Sequence, residues 1–135
     1  MPIATYFTFE DQAQDAITFY EEAFEVTVKN LVTYKSLGMP DLDEKSQNLV
    51  MNAVLEVEGH SFMFSDTPSF MKKVPYGRNV GIIIELTNAS KLTSYFEKLS
   101  QDAADVMPLQ KTEWSDLFGQ ITDKFGIAWS FNLIG

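Results

Sequence analysis

Cysteine is missing from this chain of 135 residues. That excludes disulfides, thiol nucleophiles and Cys-ligated zinc or iron–sulfur centres, and it suits a reducing cytosol. Histidine is nearly missing too: His60 stands alone, so no histidine cluster can hold a metal. Basic residues are scarce, 10 against 19 acidic ones, for a formal charge of −9. Such a field repels phosphate backbones, so nucleic acid is not an expected partner. No long apolar run occurs, and Met1-Pro2-Ile3-Ala4 carries no basic stretch. The expectation is therefore a cytoplasmic protein with neither signal peptide nor membrane span.

What is present is enough for a core without staples, since 45% of the residues are hydrophobic. The stretch that organises the rest is Trp114 to Asn132. It reads as two strands joined at Asp123-Lys124-Phe125-Gly126, with Asp opening a type I turn and Gly where φ must be positive. Beyond the turn Ile127, Trp129, Phe131 and Leu133 alternate with Ala128, Ser130, Asn132 and Ile134, the pattern of a half-buried strand.

Upstream, Thr5–Phe9 reads as a strand and Glu10-Asp11 leads into a helix. Asp11 is the expected cap, paired with Gln14. Ala13, Ala16, Ile17, Tyr20, Ala23 and Phe24 form its apolar stripe. Val26–Tyr34 reads as a second strand, Ser36–Gln47 as a polar loop with Gly38 and Pro40, and Asn48–Val57 as a third strand. Glu58-Gly59 turns into a fourth, Ser61–Ser65. Residues 67–79 form a linker. Then the order restarts: a strand at Val80–Leu86, a helix capped by Asn88 or Ser90 with the stripe Leu92, Tyr95, Phe96 and Leu99, an edge strand at Val106–Lys111 marked by Pro108, and the closing hairpin. Phe19-Tyr20 recurs as Tyr95-Phe96, and Gly59 as Gly126. The fold class is therefore α+β: one domain over 1–135 made of two βαβββ modules, about 1–67 and 80–135.

The repeat and its motifs resemble a known family. Ala16-Ile17-Thr18-Phe19-Tyr20-Glu21-Glu22-Ala23-Phe24, Val50-Met51-Asn52-Ala53, Val106 to Trp114 and Phe118 to Trp129 are similar to the PhnB-like branch of the vicinal oxygen chelate superfamily. That superfamily includes glyoxalase I, fosfomycin and bleomycin resistance proteins and extradiol dioxygenases. The resemblance implies curved mixed sheets with a helix packed on each, and a homodimer. In metal-using members a His opens the first strand of each module and an acidic residue or His sits in each closing strand, holding a divalent cation. Carried onto this chain through the turn glycines and strand starts, those places fall near Ala4, Met63, Gly81 and Ser130, which supply no usual ligand. A slip of one residue brings in Thr5, Phe62, Phe64, Ile82, Trp129 or Phe131, still without a ligand set. PhnB-like members commonly carry His where this chain has Asn52. Many are labelled 3-demethylubiquinone 3-methyltransferase, yet no glycine-rich strand-to-helix loop for S-adenosylmethionine occurs here. No metal site and no cofactor are expected.

Strand parity points to the face that holds a ligand. Phe7, Phe9, Phe62, Phe64, Ile82, Ile84, Leu86, Trp129 and Phe131 share one side and should lie under the helices. The opposite side carries Tyr6, Thr8, Ser61, Met63, Ser65, Gly81, Ile83, Glu85, Ala128, Ser130 and Asn132, with Val50, Asn52, Val54 and Glu56 on the third strand. This smaller, more polar set is the concave face. The ligand-contact candidates are Tyr6, Asn52, Glu56, Met63, Glu85, Trp114, Phe118 and Ser130. Glu56 and Glu85 are either an acid/base pair or two solvated carboxylates. His60 is either a base or an exposed turn residue. Trp114 and Phe118 either line a pocket for a flat or apolar ligand or belong to core or dimer packing. Lys72, Lys73 and Arg78, with Phe70 and Tyr76, form either a lid for an anion or a solvated linker. Asp41-Leu42-Asp43-Glu44 lacks the spacing and glycine of a calcium loop. Three functions remain open: a metal-free small-molecule binder, an enzyme using Glu56, Glu85 or relocated ligands, and a structural or partner-binding protein whose concave face is filled.

Overall fold

The computed structural model describes residues 3–38 and 41–135, so Pro40 of the expected polar loop lies outside the described residues. The chain forms two compact units, one up to Pro75 and one from Tyr76 on. The first contains strand β1 (Thr5–Phe9), helix α1 (Ala13–Phe24), β2 (Lys29–Thr33), a short helix α2 (Glu44–Gln47), β3 (Val50–Val57) and β4 (His60–Asp66). The second contains β5 (Gly81–Leu86), α3 (Ala89–Leu99), β6 (Asp105–Gln110), β7 (Phe118–Thr122) and β8 (Ala128–Leu133).

Each unit builds one four-stranded mixed sheet, ordered β1-β4-β3-β2 in the first and β5-β8-β7-β6 in the second. The outer pairs β1/β4 and β5/β8 are parallel, and the hairpins are antiparallel. The registers carry the repeat down to single residues: Thr5 faces Phe62 as Ile82 faces Trp129, and Tyr6 faces Met63 as Ile83 faces Ser130.

The face assignment from parity holds. Phe7, Phe9, Phe62 and Phe64 are buried with Ile17, Tyr20 and Phe24 of α1. Phe7 stacks on Phe62 with ring centroids 5.8 Å apart. In the second unit Trp129 and Phe131 are buried with Leu92, Tyr95, Phe96 and Leu99 of α3, and Phe96 meets Phe131 edge to face at 5.1 Å. Each such side chain contributes about 1.5–3 kcal/mol on leaving water. The opposite side is open at Tyr6 and Ile83, each 54% exposed, whereas Ser65, expected there too, is buried at the end of β4 beside Asp66.

The turns follow their residues. Glu58 and Gly59 both take positive φ, the two-residue hairpin form in which strand twist is kept. At the second hairpin, buried Asp123 accepts from Phe125 N (2.9 Å) and Ile127 N (3.0 Å) with one oxygen and from Trp129 Nε1 (2.8 Å) with the other.

Several local expectations are corrected. Asp11 does not cap α1; its first N–H, that of Ala13, is held by Asp66 Oδ1 from the end of β4 (2.8 Å). Asp66 Oδ2 takes Val50 N (2.9 Å), so one carboxylate ties the start of α1 to the start of β3. Asp11 instead pairs with Lys45 (3.4 Å). The second strand is confined to Lys29–Thr33, and the polar loop contains a 3₁₀ turn at Lys35–Leu37 besides α2. Val50, expected on the open face, is buried, because the β2/β3 ladder shifts register between Val32 and Thr33. The hairpin's first strand begins at Phe118 and not at Trp114. Thr112 N bonds Ser115 O (2.8 Å) and Ser115 N bonds Thr112 Oγ1 (3.1 Å), which curls the preceding segment into a turn. His60 is not a free turn residue: it opens β4, bonds Thr5 Oγ1 at 2.8 Å and meets Phe62 edge-on at 4.9 Å. Asn88 caps α3 as expected, accepting from Lys91 N (3.0 Å).

Candidate functional site

The open face of the first sheet brings Tyr6 and Met63 side by side on β1 and β4, with Val54 of β3 next in the same row. Asn52 lies opposite Val32 of β2. Its Oδ1 is buried and, among the described residues, has no hydrogen-bond partner. Glu56 sits further along β3, opposite Ser61. It is exposed and ion-paired with Lys29 at 3.3 Å.

The second sheet gathers more polar groups. Glu85, Asn132 and Phe118 form one row across β5, β8 and β7, and Ile83, Ser130, Gln120 and Met107 form the next. Asn132 Nδ2 donates to Glu85 Oε2 (2.9 Å), and Gln120 Nε2 donates to Ser130 Oγ (3.0 Å). Asn132 Oδ1 is likewise buried and has no hydrogen-bond partner among the described residues. Buried acceptors are nearly always satisfied in native proteins, so each such oxygen calls for an explanation.

Two concavities open on this sheet. One, about 340 Å³, is bounded by Asp105, Met107, Gln120, Thr122, Ala128 and Ser130 among others. The other, about 480 Å³, lies at the strand ends beside Trp114. Trp114 is 68% exposed and meets Phe118 edge to face at 5.4 Å. Its loop is held firmly. Buried Ser115 places Oγ 2.8 Å from Leu117 O and 3.1 Å from Leu133 O, and Leu133 N bonds Leu117 O (2.9 Å).

Of the residues that parity assigns to a single open side, the structure puts Tyr6, Asn52, Glu56 and Met63 on the first sheet and Glu85 and Ser130 on the second, where Phe118 joins the row of Glu85 and Trp114 lies at the strand ends. Asn132 and Ser115 were not singled out. Asn132 was visible as a polar residue in the open alternation. The role of Ser115 depends on the strand end it meets and left no signal. Two of the three linker cations are engaged by the chain's own acids, Lys73 by Glu10 and Arg78 by Asp105 (2.8 Å). Hydrogen bonding to Glu10 holds the Lys73 ammonium above its usual pKa.

The superfamily's metal does not fit the residues at its usual places. Met63 and Ser130 occupy equivalent rows of β4 and β8, Gly81 opens β5 and Ala4 precedes β1. None offers an imidazole or a carboxylate. Among the described residues no three His, Asp or Glu side chains gather elsewhere to hold one. No helix described is long and apolar enough to cross a membrane.

Residues 2–132 match the family described as 3-demethylubiquinone-9 3-methyltransferase. A curated relative, Protein YjdN of Escherichia coli (strain K12), is 23% identical and covers 99% of this chain and 96% of its own length. Among solved structures, a putative 3-demethylubiquinone-9 3-methyltransferase, PhnB protein, from Bacillus cereus superposes with a TM-score of 0.82 at 24% identity, covering 99% of this chain and 100% of that one. A glyoxylase/bleomycin resistance protein/dioxygenase domain from Frankia sp. EAN1pec shares the fold, with a TM-score of 0.63 at 15% identity over 96% of this chain and 94% of that one. The methyltransferase in the family's description implies a methyl donor. The loops that lead from β1 into α1 and from β5 into α3, Glu10-Asp11-Gln12 and Thr87-Asn88, hold no glycine with which to cradle a nucleotide-like cofactor, so these residues do not fit one. On sequence and fold together, the chain belongs to this PhnB-like, 3-demethylubiquinone-9 3-methyltransferase-like family, built on the glyoxalase/bleomycin-resistance fold.

Proposed function

We propose that the chain binds a small molecule on the open faces of its sheets and does so without the divalent metal of glyoxalase-like enzymes. One observation carries this: Asn52 Oδ1 and Asn132 Oδ1, one on each open face, are buried acceptors with no donor among the described residues. A ligand bringing N–H or O–H groups satisfies them; an amide oxygen left alone costs stability instead. The concavities beside Ser130 and Trp114 leave room for it and speak against a filled, purely structural face. Should the ligand also be transformed, Glu85 is better placed than Glu56, because Lys29 already engages Glu56. By resemblance to the family, the protein acts as a cytoplasmic homodimer.

The test pairs affinity with stability. A compound library is screened by shift perturbation, and hits are titrated against Asn52→Leu and Asn132→Leu, which keep volume and remove the amide. Both variants should fold with stability within about 1 kcal/mol of the parent, because an orphaned acceptor has gone. A hit on either sheet should bind at least tenfold more weakly to the variant that alters that sheet's Asn, the effect of about 1.4 kcal/mol. Unchanged affinity in both would sink the proposal. Native mass spectrometry before and after nickel, zinc and manganese gives the number of copies. One tightly held metal per chain would overturn the metal-free part. Glu85→Gln with binding kept and turnover lost would move the protein to the enzymes.

A further inference from the structure

The groove beside Trp114 has a chemical character of its own. Trp114, Asn132, Thr87, Lys111, Glu113 and Asp116 help to line it. The indole is held by one edge-to-face contact with Phe118 and by a loop pinned through Ser115, so it is exposed and yet fixed. An exposed indole held rigid is a stacking surface. Asn132 is oriented by the bond from its Nδ2 to Glu85, which leaves Oδ1 as a pure acceptor. Donating to a carboxylate also polarises the amide and makes that oxygen a stronger acceptor. The wall has two carboxylates, Glu113 and Asp116, against one ammonium, Lys111, and Glu85 stands behind Asn132. The whole chain carries −9. Indole faces attract cations as well as flat rings.

We propose that this groove takes a flat, positively charged ring compound with an N–H edge, of the aryl amidinium or protonated aminoheterocycle class. The ring lies against Trp114, and its N–H edge donates to Asn132 Oδ1, which is covered in the free chain and has to be uncovered as the ring enters. The volume, about 480 Å³, falls in the range of small-molecule sites and suits one or two fused rings. An anion of the same shape meets the wrong charge and brings no donor to Asn132. This rests on the ligand-binding reading above and narrows it to a class.

Benzamidine is the probe, with benzamide and benzoate as its neutral and anionic counterparts. The chain has two tryptophans, Trp114 exposed and Trp129 buried, so two indole N–H signals report separately in ¹⁵N-labelled protein. Benzamidine, binding in the millimolar range, should move the Trp114 signal and leave that of Trp129 in place. Trp114→Ala and Asn132→Leu should each weaken it at least fivefold. Glu85→Gln should weaken benzamidine more than benzamide, which a merely structural role for Glu85 would not do. Benzoate moving Trp114 as strongly as benzamidine overturns the inference, as does binding that survives both Trp114→Ala and Asn132→Leu. A screening hit that perturbs Tyr6, Asn52 and Met63 but not Trp114, with no response to benzamidine, refutes this inference and keeps the wider reading. Silence from every compound on both sheets refutes the two together.

Discussion

Replacing Asp123 by Asn changes one atom and turns an acceptor into a donor. The carboxylate is 1% exposed, and its two oxygens divide their work. Oδ1 takes Phe125 N and Ile127 N, and Oδ2 takes Trp129 Nε1 at 2.8 Å. Asn keeps an oxygen for the turn and then sets an NH2 against the indole N–H, two donors with no acceptor between them. A hydrogen bond to a charged group is worth about 1.5–3 kcal/mol, and a buried orphan costs about 1–3 more. The expected loss is about 3 kcal/mol, a fall of roughly 10 °C in melting temperature for a chain of this size. Both tryptophans lie in the second unit, so fluorescence follows that unit alone. The decisive form is a double-mutant cycle with Trp129→Phe, read by circular dichroism. Without the indole N–H, the introduced amide no longer opposes a donor, and the same Asp123→Asn change should cost at least about 1 kcal/mol less. Equal costs in the two backgrounds would refute the assignment of Oδ2 to the indole.

Gly119→Ala should destabilise by about 1–3 kcal/mol, because a Cβ there meets Met107 O and Phe96 Cε2 at 3.0 Å and Leu109 N at 3.1 Å, two of them backbone atoms that cannot swing aside; an unshifted urea midpoint would contradict this packing. Burial pushes the Asp66 carboxyl above its ordinary pKa, with Asp11 and Asp15 adding to the rise and the Val50 and Ala13 N–H groups opposing it. The folded state thus holds that proton more tightly than the unfolded chain, so the group favours folding most below the unfolded value of about 3.9 and loses this as pH rises through the folded one. Wild type should therefore gain stability relative to Asp66→Asn as pH is lowered from 7 towards 4, in denaturant titrations at matched ionic strength; a gain in the opposite direction would reverse the sign of the argument.

Periodicity carried most of the architecture because both faces of each sheet are chemically distinct. Phe7 and Phe9 against Tyr6 and Thr8, or Trp129 and Phe131 against Ser130 and Asn132, leave one register that buries the rings. Local turn chemistry was legible for the same reason at Gly59, Gly126 and Asn88. What stayed hidden depends on partners far off in the chain. The α1 cap comes from Asp66, 53 positions away from Ala13, while the nearer Asp11 looks the better candidate on spacing. The site was readable as a face and not as a set of contacts. Parity puts Asn132 on the open side, but only coordinates reveal that its amide is turned by Glu85 and its oxygen left over. Trp114 is exposed because Thr112 and Ser115 end the extended run before Phe118, a side-chain bond that hydrophobic alternation does not encode.

The two long helices, α1 and α3, also differ in when they can be finished. Helix α3 carries its own cap, Asn88, three positions from the N–H it holds, so its first turn closes as soon as that segment is made. Helix α1 waits for Asp66, the last residue of the last strand in its unit. During synthesis the amino-terminal helix is long exposed before its clasp arrives, and its end frays until β4 docks. The half made first is thus the half that must wait for distant chain, whereas the later half can start from a local nucleus. In refolding from denaturant, order in α3 should precede order at the start of α1.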